Sequence, residues 1–219
     1  MIWDWEFARS ILPEILSGLA VTLQAVAWGT LIALVLGLLA AVARRSRYRL
    51  VAWSTVALLE FIRSTPLLVQ IYFLFFILPE VGVTLSPLLT GVIALGLHYT
   101  SYMSEVYRAG IDSVPRGQWQ AATALNLTTF QTYRHVILPQ AVPPIIPMLG
   151  NYVIAMFKDA PLLSAITVLG ILQRAKIIGN ETFRYLEPLT IVGLIFLVLS
   201  LLAGMVITYL EKRLKVVPA

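Results

Sequence analysis

The residues of this chain that could do chemistry are few and lie in otherwise apolar surroundings. Glu60 and Arg63 stand three apart, the spacing that lets opposite charges pair on one helix face. Thr65-Pro66 follows them, and Pro66 lacks the backbone donor a helix needs, so a kink is expected that can turn carbonyls toward a cavity. His98, Tyr99 and Tyr102 offer an imidazole and two aromatic faces, which suit a cationic group. Asn151 and Tyr152 stand on a later apolar run and could line the same space. Lys158-Asp159 presents both signs of charge just before Pro161, which suits a zwitterion. Each group has a structural alternative: an ion pair between helices, a histidine bonded to its neighbour, a charged helix anchor. Hydrolytic chemistry finds no support, because neither a G-x-S-x-G elbow nor H-E-x-x-H is present. With no cysteine and only His98 and His135, a thiol nucleophile and a multi-histidine metal site are excluded.

The surroundings explain why these groups stand out. Hydrophobic residues make up 59% of the 219, charged residues 12%, and the mean hydropathy is +0.86. Soluble domains run near about 25% charged, so this chain belongs in a bilayer. An intramembrane charge is costly and faces a cavity or a partner.

Apolar runs of roughly 20 residues mark crossings. Five are expected, at about residues 15–43, 51–78, 87–107, 138–158 and 188–210, in a single membrane domain covering residues 1–219. Pro139, Pro143, Pro144 and Pro147 are placed at the start of the fourth. Residues 160–173 are apolar but short, and are expected to form a half-helix or re-entrant segment. The small residues of GLAVTLQAVAWG in the first span suit helix packing. The N-terminal residues carry Asp4, Glu6 and Glu14 rather than a basic leader, so the first span is expected to remain as an anchor.

The net charge is +5, from 16 Lys+Arg against 11 Asp+Glu. Arg44, Arg45, Arg47, Arg49, Arg108, Arg116, Arg134, Lys212, Arg213 and Lys215 would share one face if the spans alternate. The excess of basic residues then marks the cytoplasmic side, with the N-terminus outside and the C-terminus inside. The basicity reports topology, and a nucleic-acid partner is not expected.

The longest polar stretch, about residues 108–139, faces that side. Gln118 to Leu125 reads as a short helix, with Trp119, Ala122 and Leu125, or Ala121 and Leu125, on a shared side. Asn126 suits a left-handed stop, and Thr128 with Gln131 suits a capping box that opens a second helix, ending where Pro139 arrives. The pair is either a packed surface loop or an element that docks in a groove of a cytoplasmic protein through Trp119 and small alanine faces.

QAATALN followed by VILPQA resembles the coupling motif of ABC importer permeases, usually Glu-Ala-Ala, a Gly, and an Ile-x-Leu-Pro ending. Ala121, Ala122, Ile137, Leu138 and Pro139 match. Gln120 stands at the Glu and Asn126 at the Gly. FIRSTPLLVQIYF, YRAGIDSVPRGQW, LGNYVIAMFKD and the terminal EKRL resemble the polar-amino-acid permeases across nearly the whole chain. GLHYTSYMSEVYRAGI, ALNL and MFKDAP look most like ectoine/hydroxyectoine importer permeases. The resemblance implies an all-α membrane protein with the five-helix type I importer fold, set in the bacterial inner membrane. It implies two copies of a cytoplasmic ATPase, which alone hold ATP and Mg. An extracytoplasmic solute-binding protein and a second permease, homologous or identical, complete the assembly, with membrane lipid around it. Gln118, Trp119, Gln120, Ala121, Ala122, Ala124, Leu125 and Asn126 would couple to the ATPase. Thr65, His98, Tyr102, Asn151, Lys158 and Asp159 would line the solute pathway. The chain carries no G-x-x-x-x-G-K-[ST] phosphate loop and is expected to be a transport subunit with no cofactor of its own. An intramembrane enzyme and a non-conducting structural subunit are the alternatives.

Overall fold

The computed structural model describes residues 3–214, all of whose regular elements are helical; Lys215, counted among the basic residues, lies outside the described residues. Helix α1 (Trp5–Ala43) begins ten residues before the apolar run, because the Asp4 carboxylate accepts from the free amides of Glu6 and Phe7 and satisfies its first turn. The buried side of α1 is small: Gly18, Thr22, Ala25, Gly29, Ala33, Gly37 and Ala41 recur at helical spacing. That seam lets α1 lie backbone-close along α4 (Pro87–Asp112), as in small-residue packing within membranes. At Gly96, a Cβ would come within 2.6 Å of Ile32.

The second span is not one kinked helix. Helix α2 (Arg49–Ser64) ends at Thr65-Pro66, and α3 (Leu67–Tyr72) restarts at an angle of 102°. A π turn (Phe73–Ile77) and a 3-10 turn (Leu78–Val81) carry α3 to the loop before α4. The expected kink is thus close to a right angle. Pro66 removes a donor, and Thr65 is held extended, as a residue before proline must be.

Helix α5 (Arg116–Ala124) is followed by Asn126 at φ +52°, the expected left-handed stop. Thr128 and Gln131 form the expected capping box on α6 (Thr129–Thr132). That second helix does not end at Pro139. A π turn (Tyr133–Ile137) joins α6 to α7 (Leu138–Asp159) without a break. Pro139 follows closely on the π turn, where the hydrogen-bond register widens, and Pro143, Pro144 and Pro147 lie further along α7.

The 160–173 segment is a 3-10 turn (Ala160–Ile166), then Thr167 in the left-handed region, then α8 (Ile171–Thr182). Thr22 Oγ1 of α1 accepts from the Ile171 amide at 3.1 Å, supplying α8 with the cap its own sequence lacks. Gly18 makes room for this junction: a Cβ there would stand 2.6 Å from the Gly170 carbonyl carbon. Helix α9 (Leu186–Arg213) closes the chain. Its buried Glu187 bonds the Asp4 amide and Arg184, whose guanidinium lies over the Phe7 ring.

Among the described residues, α1, the continuous run Thr129–Ile166 and α9 are long and apolar enough to cross a membrane, and the bent α2–α3 stretch makes a fourth if taken as one span. Helix α4 is long enough, at about 39 Å, but richer in polar groups. Thr90, His98, Thr100, Ser101 and Ser104 are buried on it. Its neighbours α1 and α7, rather than lipid, cover much of its surface.

Candidate functional site

Three helices meet around a cluster of rings at mid-height of α4. His98 and Tyr99 stand one turn above Tyr102, and Tyr152 reaches in from α7. Ring centroids lie 5.6 Å apart for His98–Tyr99, 5.4 Å for His98–Tyr102, 5.4 Å for Tyr102–Tyr152 and 6.4 Å for Tyr99–Tyr152. These are edge-to-face and tilted pairs of the kind aromatic quadrupoles favour. Asp159, at the last turn of α7, closes one end: its Oδ2 accepts from the Tyr99 hydroxyl at 2.7 Å. Gln70 of α3 closes another, with its Oε1 3.2 Å from His98 Nδ1. Moving forward along α7 from Tyr152 to Asp159 moves back along α4 from Tyr102 to Tyr99, so the two helices run antiparallel here. The cluster offers aromatic faces, one carboxylate and one imidazole, which together can hold an organic cation.

The expected pathway residues divide. His98, Tyr102 and Asp159 come together here. Thr65 joins them at one remove, because Gln70 Nε2 donates to its carbonyl and hydroxyl oxygens. Asn151 does not. Adjacent positions on a helix point about 100° apart, and while Tyr152 turns toward α4, Asn151 lines a groove against α9 with Ser200, Gly204 and Thr208. For the same reason Lys158 and Asp159 do not act as a pair: Lys158 is exposed and Asp159 points inward. The carbonyls freed at Pro66 are not bare either, since Gln70 caps Ile62 O at 2.6 Å. Gln70 escaped the sequence reading. Its signal was a polar side chain one turn after a proline break, inside an apolar run.

Glu60 and Arg63 form the expected ion pair, and Arg63 also reaches Glu105 at 3.8 Å. Glu105 binds Arg44 at 2.6 Å and Arg108 at 2.9 Å, while Asp112 binds Arg45 at 2.6 Å and Arg108 at 2.8 Å. The pair therefore belongs to a network joining the ends of α1, α2 and α4, away from the rings. The Arg45 guanidinium, bonded to Asp112 beyond the apolar run, holds that carboxyl below the ordinary aspartate value.

Just past Asp112 is the polar loop. Trp119 packs edge-on against Tyr133 at 5.5 Å, and Ala122 is buried. Trp119 packs against Val114, Ile137 and Ala141 of its own chain. The amphipathic pattern put Leu125 on one side with Trp119 and Ala122, or with Ala121; the structure turns Trp119 and Ala122 inward and leaves Leu125 and Ala121 exposed. Gln118, Gln120, Ala121, Ala124, Leu125 and Asn126 are exposed instead. Leu125 is 72% exposed and Phe130, which the sequence reading passed over, 70%. An exposed aromatic directly after the capping box was the available sign.

Comparison with known proteins completes the picture. The chain is 50% identical to the probable amino-acid ABC transporter permease protein y4tG of Sinorhizobium fredii, over 96% of this chain and 91% of that one. It is 35% identical to the arginine transport system permease protein ArtQ of Bacillus subtilis, over 96% and 97%. A solved structure described as an amino acid ABC transporter with histidines superposes with a TM-score of 0.93 at 33% identity, over 97% of this chain and all of that one. The all-helical fold is that of the type I ABC permeases. The family model for binding-protein-dependent transport system inner membrane components matches residues 33–216, and the chain belongs to that family, as a multi-pass transport component of the inner membrane rather than an enzyme.

Proposed function

We propose that this chain is the permease subunit of an ABC importer for polar amino acids or related zwitterions, and that the solute's ammonium group passes over the His98–Tyr99–Tyr102–Tyr152 cluster toward Asp159. One observation carries the reading: a carboxylate stands at the edge of four rings, of which His98 and Tyr99 are buried and Tyr102 and Tyr152 half-buried. A cation over such rings gains from the ring quadrupole, and more when desolvated. Lys158 is not among the cluster's partners in this chain, so recognition rests on the cationic end of the solute. Ectoine and hydroxyectoine, small zwitterions with a delocalised cation, fall within this class and are supported by the resemblance of GLHYTSYMSEVYRAGI and MFKDAP.

The chain would cross the membrane five times with its N-terminus outside. Two copies of a cytoplasmic ATPase, holding ATP and Mg, would dock on the exposed side of α5 formed by Gln118, Gln120, Ala121, Ala124, Leu125 and Asn126, extended by Phe130. Trp119 and Ala122 would support that face from within. Asn126 keeps the left-handed bend that a glycine gives this motif elsewhere, so the loop geometry survives the exchange. An extracytoplasmic binding protein would deliver the solute, and a second permease, homologous or a second copy, would complete the pathway within the lipid. The test is reconstitution of the permease with its ATPase and binding protein in proteoliposomes. Uptake and ATP hydrolysis stimulated by an amino acid or ectoine support the reading. Stimulation by none of them, or ATP hydrolysis by the isolated chain, refutes it.

A further inference from the structure

Gln70 touches both the helix break and the ring cluster. Its Nε2 lies 2.6 Å from Ile62 O, 3.1 Å from Thr65 O and 2.7 Å from Thr65 Oγ1. Thr65 Oγ1 spends its own proton on the carbonyls of Phe61 and Ile62, so it accepts from Gln70. An amide has one donor end and one acceptor end. Facing backbone carbonyls, the end of Gln70 at Thr65 must be the donor NH2, because the reversed amide would set oxygen against oxygen. Its Oε1 therefore faces His98 Nδ1 at 3.2 Å, and a carbonyl oxygen there can only accept. His98 must carry its proton on Nδ1.

We propose that Gln70 is a positioning residue of the transport site: it fixes His98 with the proton on Nδ1 and so leaves Nε2 as an acceptor for a donor group on the solute, and it ties that choice to the α2–α3 break. The carboxylate and the rings recognise charge. The Nε2 lone pair adds a directional acceptor, which favours an ammonium or amidinium with N–H groups over a quaternary ammonium without them. The coupling runs both ways. A change in the 102° bend moves the carbonyls that orient Gln70, and with them the polarity His98 presents. The solute preference rests on the transport reading above; the state of His98 does not.

The test uses the assembled permease–ATPase complex in nanodiscs, with histidine labelled with nitrogen-15. This chain holds only His98 and His135, so with the label confined to it His135→Gln assigns the spectrum. At neutral pH, His98 is expected to be singly protonated on Nδ1. Gln70→Leu is expected to shift it toward the Nε2-protonated form that a free neutral imidazole side chain favours. A wild-type His98 protonated on Nε2, or on both nitrogens, overturns the proposal, as does a state unmoved by Gln70→Leu. If Gln70→Leu fails to assemble, the wild-type spectrum still decides, and Thr65→Val, which removes one of the amide's anchors, replaces it. In uptake assays Gln70→Leu and His98→Phe should each lose about tenfold, the scale of one hydrogen bond. The double variant should fall no further than the weaker single; losses that multiply would show that the two act independently and overturn the coupling. Loss of amino-acid uptake in the wild type with the Nδ1 signal intact would overturn the transport reading alone.

Discussion

Asp159→Asn separates the two roles its carboxylate could have: holding Tyr99, or meeting the solute. Asparagine keeps the size of the side chain and an oxygen that can still accept from the Tyr99 hydroxyl, which now bonds at 2.7 Å. Within the protein, a charge-assisted hydrogen bond becomes a neutral one, and the difference is about 1 kcal/mol. The fold should tolerate that. An incoming ammonium loses more, because its partner changes from a carboxylate to a neutral amide at a half-buried site. Hydrogen bonds to charged groups are worth about 1.5–3 kcal/mol, and each 1.4 kcal/mol is about tenfold. Uptake at limiting solute should therefore fall about ten- to hundredfold. Tyr99→Phe is the counterpart: it removes the hydroxyl and leaves the charge, so uptake should stay within about threefold. Both variants are measured in proteoliposomes by labelled-solute uptake, with thermal unfolding of the purified complex as the check on folding. If Asp159→Asn takes up solute within about twofold of wild type, or if Tyr99→Phe loses as much as Asp159→Asn, the carboxylate serves the tyrosine and the cation site is refuted.

Three further outcomes follow from the packing. Leu125→Asp and Phe130→Asp, both on the exposed side of the loop, should reduce co-elution with the ATPase at least about tenfold while the permease melts as before; Ala122→Asp should instead lower the melting temperature, since it places an unpaired carboxylate at a buried position. Gly18→Ala should cost about 1–3 kcal/mol, because its Cβ meets the Gly170 and Ile171 backbone, whereas Gly204→Ala, with open space around it, should cost nothing in a thermal melt. Asp112 has its pKa lowered by the Arg45 hydrogen bond, so its stabilising contribution is present above the ordinary value of 3.8 and is lost as pH falls through the lower folded value; Arg45→Met should flatten that part of the melting temperature against pH profile.

What the sequence disclosed depended on how local the physics is. Asn126 and the Thr128–Gln131 box are set by the backbone chemistry of a few neighbouring residues, and they stand where the spacing puts them. The apolar runs mark α1, the Thr129–Ile166 run and α9 because length and polarity are properties of each segment alone, whereas α4 is covered by other helices and does not stand out by apolarity. Where a question concerned direction, the pattern failed. Helical spacing put Trp119 on a face with Ala122 and Leu125 but could not say that Tyr133 and Val114 would cover Trp119 while Leu125 stayed exposed, because that cover comes from elsewhere in the chain. Asn151 and Tyr152 are neighbours in sequence, and only packing against α4 and α9 assigns them to different sides. Pro66 announced a break, but not its 102° angle, since a missing donor says nothing of direction. Gln70 itself was illegible because a lone neutral amide carries no signature until its acceptors are known.

The joined helices α6 and α7 have a mechanical meaning. From Thr129 to Asp159 the backbone is one rod, about 46 Å long at 1.5 Å per residue. Its lower end emerges beside the surface-exposed Leu125 and Phe130, and its upper end carries the carboxylate that bonds Tyr99. A helix resists stretching and transmits tilt and rotation along its whole length. Two stretches soften it: the π turn at Tyr133–Ile137, where the hydrogen-bond register is widened, and the stretch holding Pro143, Pro144 and Pro147, each without a donor. A push on the loop would therefore be divided at these joints: the part they absorb stays below, and the remainder would reach Asp159 as a swing of the lever.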